Sequence, residues 1–165
     1  MSGLDVKVIL QDIKKLETEA LVVGFYQDVR PLKGLAGELD WLLCGSLSDL
    51  ILNNKLSGAL GEVALIASRG KVPAKKIFMI GLGPKEGSSA LSLRNAARIA
   101  ASSAVGAGIM NMALEYFYSP DVPYDAVVTS LRDGLSEGAR GKPLSVSLLA
   151  PDAATHERIS PWVKA

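Results

Sequence analysis

Lys76-Ile77-Phe78-Met79-Ile80-Gly81-Leu82-Gly83-Pro84, read through to Met110, decides the fold. Ile77 to Ile80 is a short β-rich run, and Gly81 to Pro84 is a turn leading out of it. A polar loop from Lys85 to Ala90 then leads to a long helix from about Ser92 to Met110, full of Ala, Ser and Gly. Side chains that small let a helix come close to a sheet or to another helix. Met112 to Tyr118 returns as a strand.

The same alternation continues on both sides. Leu4, Val6, Val8 and Leu10 recur at every second position, as in a strand with one face more buried than the other. Ala20 to Tyr26 is a continuous apolar run rich in Val, the mark of a central strand covered on both faces. Leu35, Leu39, Leu42, Leu43, Leu47 and Leu50 lie at helical spacing, with Gly45 placed to bend or split that helix. Val63 to Ala67 is a further strand. The short Ser68 to Lys75 connection, with Gly70 and Pro73, predicts an antiparallel hairpin with Ile77 to Ile80. Towards the C-terminus, Tyr124, Val127, Val128, Leu131 and Leu135 give an amphipathic helix closed by Gly138 and Gly141. Leu144 to Ala150 reads as the last strand. Asp152 is a candidate N-cap for a final helix that Pro161 should interrupt.

The element order β β α β β α β α β α runs over residues 1–165 with no linker, repeat or low-complexity tract. It predicts one α/β domain, a three-layer sandwich with a mixed, mostly parallel sheet and helices on both faces. The chain is 48% hydrophobic and 21% charged, with 18 basic and 17 acidic residues and a formal net charge of +1. That balance is globular, and it offers no bulk electrostatic case for nucleic acid or an anionic membrane. The single cysteine, Cys44, excludes an internal disulfide, and no signal peptide or membrane span is legible, so the expected location is cytoplasmic.

Three short phrases carry a resemblance: Gly61-Glu62-Val63-Ala64-Leu65-Ile66, then Lys76 to Gly83 with its Gly-Leu-Gly strand end, then Leu93-Arg94-Asn95-Ala96-Ala97. In this order the chain resembles the N-terminal domain of the leucine aminopeptidase family. Leu131-Arg132-Asp133-Gly134-Leu135 is similar, more loosely, to that domain's Glu-Gly-Leu helix end. The resemblance implies a macro-domain-like fold and a half that is non-catalytic in the family, packed there against a catalytic half within a hexamer. That other half would use two divalent metals such as zinc or manganese. The family's Asn-Thr-Asp metal signature is absent from this sequence, so no catalytic or metal residue carries over and no cofactor is expected.

The residues themselves suggest one candidate ligand loop: Gly81, Leu82, Gly83 and Lys85. A glycine-rich turn after a strand can offer backbone N–H groups to a phosphate, as in a macro-domain-like pocket for a phosphate- or ADP-ribose-like ligand. The plainer reading is a tight turn in which glycine meets the backbone angles. A dinucleotide fingerprint is not matched: Glu86 stands where its third glycine belongs, and no ribose-binding acid follows before Glu115. His156 reads as a surface residue and Cys44 as a small buried one. Tyr116, Phe117 and Tyr118 read as core and rim packing. The helix from Ser92 to Met110 is apolar or small nearly all round. Together with the missing catalytic half, that predicts self-association or a partner protein.

Overall fold

The computed structural model describes residues 3–164. Its order is β1 (Leu4–Ile9), β2 (Ala20–Phe25), α1 (Gly34–Leu42), α2 (Ser46–Leu52), β3 (Val63–Ala67), β4 (Lys76–Gly81), α3 (Ala90–Gly106), β5 (Asn111–Glu115), α4 (Tyr124–Ala139), β6 (Leu144–Leu149) and α5 (Ala153–Lys164). The strands form one sheet in the order β1-β6-β5-β2-β4-β3. Every neighbouring pair is parallel except β3 with β4, the expected antiparallel hairpin, which pairs Leu65 with Phe78.

Alternation along the central strands builds two cores. Val22, Phe78, Ile80, Met112, Leu114, Val146 and Leu148 face α3, α4 and α5. Leu21, Val23, Phe25, Ile77, Met79 and Ala113 face α1, α2 and the Leu56 to Ala74 segment. This is the predicted three-layer sandwich. β2 is buried at all six positions, which explains why its sequence shows no alternation.

Several local expectations need correction. The Leu35 to Leu50 stripe is two helices, because Cys44 and Gly45 both take positive φ (58° and 81°) between them. That break turns Cys44 out of the stripe, and it is exposed, not buried. Pro161 does not interrupt α5, which runs to Lys164. One missing N–H in the last turn of an exposed helix end removes a single bond without a buried clash. Asp152 does cap α5, its Oδ1 accepting from the Thr155 N–H at 2.7 Å.

The Ala-rich helix, whose apolar surface was expected to call for a second subunit, is covered within the domain. Leu93, Ala96, Ala97, Ala100, Ala101 and Ala104 of α3 are buried, and α4 lies directly on them. A Cβ added at Gly134 would come within 2.2 Å of the Arg94 carbonyl, and one at Gly138 within 2.1 Å of the Arg98 carbonyl. The helix is covered by its own neighbour, so its composition is no argument for a second subunit. Large apolar side chains are exposed elsewhere: Trp41 on α1 is 80% exposed, Leu52 on α2 78%, and Leu65 on the edge strand β3 56%. No helix among the described residues is long and apolar enough to cross a membrane.

Candidate functional site

The five parallel strands end at one edge of the sheet, where the loops leaving them converge. Ligands of open α/β sheets bind in the crevice beyond these carboxyl ends. A cleft of about 820 Å³ opens there, walled by the segment after β1, the start of α1, the end of β5 and the start of α5. A smaller lobe of about 210 Å³ lies between the loop after β2 and the turn after β4. Gly34, Glu115 and Tyr118 belong to both walls, so the two lobes meet at these residues.

Glu115, the last residue of β5, stands at that junction. Its Oε1 accepts from the Gly24 N–H at 3.0 Å, and its carboxyl also accepts from the Leu35 N–H. The second bond has a local cause. Lys33, the N-cap of α1, makes no side-chain capping bond, which leaves first-turn N–H groups of α1 to be satisfied otherwise. A carboxylate from a distant strand does this. Gly24 has no side chain because a Cβ there would lie 2.8 Å from both Leu82 and Phe117. Burial dominates the two hydrogen bonds and pushes the Glu115 carboxyl up to about 7.

Beyond Glu115 the chain continues as Tyr116, Phe117 and Tyr118, of which the first two are buried. Tyr116 stacks on Tyr124 with ring centroids 6.0 Å apart, and the Arg158 guanidinium lies 5.0 Å from the Tyr124 ring centre. The Tyr26 hydroxyl donates to the Tyr118 carbonyl at 2.6 Å, and the Ser88 and Ser119 hydroxyls are 2.6 Å apart. These bonds tie the loops after β2, β4 and β5 together.

The structure divides the expected ligand loop. Leu82 and Lys85 line the smaller lobe, together with Lys33, whereas Gly81 and Gly83 do not. Each N–H of the turn is already donated: Gly81 to the Glu62 carbonyl (2.8 Å), Leu82 to Phe25 (3.0 Å) and Gly83 to Gly58 (2.9 Å). The Lys85 N–H goes to Asp28 Oδ1 at 2.9 Å. Glycine is needed at 81 because a Cβ would meet the Ala59 carbonyl at 2.0 Å, and at 83 because φ is +75°. Glu62 organises the abutting loop, accepting from the Ser57 and Gly58 N–H groups at 2.9 and 2.7 Å. Two of the three phrases behind the family resemblance, Gly61-Glu62 and Gly81-Leu82-Gly83, are therefore one hydrogen-bonded unit.

No group of three or more His, Cys, Asp or Glu among the described residues is placed to hold a metal ion, so the residues present do not fit the two metals of the resembled family's catalytic half. His156 is half-buried on α5. The packing role read for Tyr116 holds, whereas Glu115 is not singled out by the sequence reading. The available signal was an acid ending the otherwise apolar strand Met112-Ala113-Leu114.

Residues 22–141 match the model of the cytosol aminopeptidase family, N-terminal domain. A probable cytosol aminopeptidase of Alkaliphilus metalliredigens is 35% identical over 89 residues, 54% of this chain and 18% of that relative. One from Geobacter sulfurreducens is 29% identical over 134 residues, 81% of this chain and 27% of the relative. The chain thus spans less than a third of these curated relatives. Among solved structures, an Oceanobacillus iheyensis macrodomain superposes with TM-score 0.77 at 15% identity, over 95% of this chain and 89% of that one. A tomato leucine aminopeptidase does so with TM-score 0.68 at 19% identity, over 99% of this chain and 36% of that one. The fold is macro-domain-like, and the match over residues 22–141 places the chain in the cytosol aminopeptidase family, as its N-terminal domain.

Proposed function

We propose that this domain is a non-catalytic, ligand-binding regulatory module of an aminopeptidase-type protein, working in the cytoplasm. One observation carries the reading: the divided cleft beyond the carboxyl ends of the parallel strands, with a buried titratable carboxyl where its lobes meet. The Oceanobacillus neighbour has been described with ADP, which supports a small-molecule role for a cleft on this fold. The cytoplasmic setting follows the relatives' name, cytosol aminopeptidase. Thermal unfolding against a panel of amines, amino acids, nucleotides, ADP-ribose and inorganic phosphate tests the reading. A ligand present at a hundredfold its Kd stabilises by about 2.7 kcal/mol, a rise in Tm of roughly 5–10 °C for a domain of this size. An unchanged Tm across the panel counts against it.

A second reading, an interaction module, is supported by the exposed Trp41, Leu52 and Leu65. The expected result is a species larger than 17.4 kDa in size-exclusion chromatography with light scattering. Replacing Trp41 by Glu should return it to monomer, and a wild-type monomer at high micromolar concentration removes the reading.

A further inference from the structure

The two edges of the sheet are finished differently. β1 forms one edge, and its two exposed positions are the charged residues Asp5 and Lys7. Charge on an edge strand discourages pairing with another chain. β3 forms the other edge. Its residues, Val63-Ala64-Leu65-Ile66-Ala67, include no charge and no proline, and they pair with β4 in unbroken register. Charge, proline and bulge, the usual protections of an edge, are absent from it.

The ladder fixes which backbone groups of β3 are left over. The Gly81 N–H donates to the Glu62 carbonyl at 2.8 Å, and Glu62 is the residue next to the Val63–Ile80 pair. By antiparallel alternation Ala64 and Ile66 then turn their N–H and C=O groups to β4, and Val63, Leu65 and Ala67 turn theirs outward. No bond from a turn or loop reaches those outward groups among the described residues. The side chains of the same three residues share one face and are exposed. Unpaired backbone and uncovered apolar side chains thus coincide on Val63, Leu65 and Ala67.

We propose that β3 pairs antiparallel with β3 of a second copy of this chain, about a two-fold axis at Leu65, so that two sheets become one. The strand is complementary to itself in this register. Leu65 lies opposite the partner's Leu65 and Val63 opposite the partner's Ala67, so outward groups meet outward groups, and each opposed pair exchanges two N–H···O bonds. On the other face Ala64 meets the partner's Ile66, a small side chain against a large one. Charge selects the same arrangement. Glu62 precedes the strand, and Arg69 and Lys71 follow it. Neither cation has a carboxylate partner in its own chain among the described residues. Antiparallel pairing lays the acidic end of one copy beside the basic end of the other, whereas parallel pairing sets like against like. The inference rests on the interaction-module reading above and names its partner and its surface. A seam this short is small beside the roughly 1,200–2,000 Å² that stable complexes bury, so the dimer forms and dissolves with concentration.

Light scattering of the full chain, from low to high micromolar concentration, should show its mass rise from 17.4 kDa toward twice that value. Leu65→Lys and Leu65→Glu each place like charges face to face across the axis, and each should stay monomeric. Mixed in equal amounts they should dimerise again, because residue 65 faces itself. Leu65 is exposed, so both variants keep the fold. Hydrogen exchange on the unsubstituted chain reads the same contact without a variant: the Val63, Leu65 and Ala67 N–H groups should slow as concentration rises. A dimer that survives both Leu65 substitutions, or one lost in Trp41→Glu alone, overturns the β3 pairing and leaves the interaction-module reading standing. Leu65 variants that stay monomeric when mixed overturn the two-fold register. A wild-type monomer at high micromolar concentration takes the reading and the pairing down together.

Discussion

Glu115→Gln should flatten the pH dependence of stability between pH 5 and pH 8. The buried carboxyl titrates at about 7 in the folded protein, against 4.5 for the unperturbed group. Between those values the folded state keeps a proton that the unfolded chain has released. Stability from this group is therefore complete below 4.5 and is lost as pH rises through 7. The shift corresponds to roughly 3 kcal/mol, a large share of the 5–15 kcal/mol that holds a domain together. Asp152, held below its usual range by the Thr155 N–H and hydroxyl, acts in the opposite sense but titrates below this window and is common to both proteins. Denaturant unfolding at pH 5 and pH 8 measures the difference. Glutamine cannot titrate, so the variant should show little of the wild-type decline. An equal decline in both proteins would place the titrating group elsewhere.

Gly138→Ala should destabilise the protein although it improves helix propensity. Glycine inside a helix costs about 0.5–1 kcal/mol relative to alanine, so substitution on a free surface is favourable. At Gly138 the added Cβ would sit 2.1 Å from the Arg98 carbonyl and 2.9 Å from the Ala101 Cβ. The backbone of α3 cannot yield without lifting off α4, and overpacking of this kind costs about 1–3 kcal/mol. The double change Gly134→Ala with Gly138→Ala widens the same seam at both contacts. It should lower Tm by roughly 5–15 °C if both clashes persist. Gly106→Ala is the control, because nothing lies within 4 Å of its added Cβ. It should be neutral or slightly stabilising, and a double variant as stable as this control would show that the helices separate freely.

Most of the architecture was legible because it is written in local pattern. The continuous Ala20 to Tyr26 run marked the central strand, and the brief Ser68 to Lys75 connection announced the one antiparallel pair. The small residues of α3 correctly implied close packing. The partner, however, was α4 through Gly134 and Gly138, whose significance lies in three-dimensional apposition and not in spacing. The site was legible only in outline. The edge of the sheet was anticipated, and Leu82 and Lys85 do line a lobe. Glu115 escaped because its role comes from convergence. Gly24, Leu35 and Glu115 are drawn from three segments, and no periodicity records a carboxyl that caps a helix begun some eighty residues earlier. Cys44 failed for a different reason: a helix stripe continues through the break in sequence although the backbone does not.

The two sides of the cleft differ in how fast they can move. At the glycine turn, three consecutive N–H groups are bonded to Glu62, Phe25 and Gly58. Displacing it means parting the end of β4 from the neighbouring strand and loop in a single event, so its opening belongs with the slow, cooperative motions of the core. The tyrosine side is tied largely through side chains, by the Tyr26 hydroxyl on the Tyr118 carbonyl and the Ser88–Ser119 pair. Rotation about a few χ angles releases those links on a far shorter time scale. On the proposed ligand-binding reading, the tyrosine side would let a guest in and out, while the glycine side would keep the shape it must match.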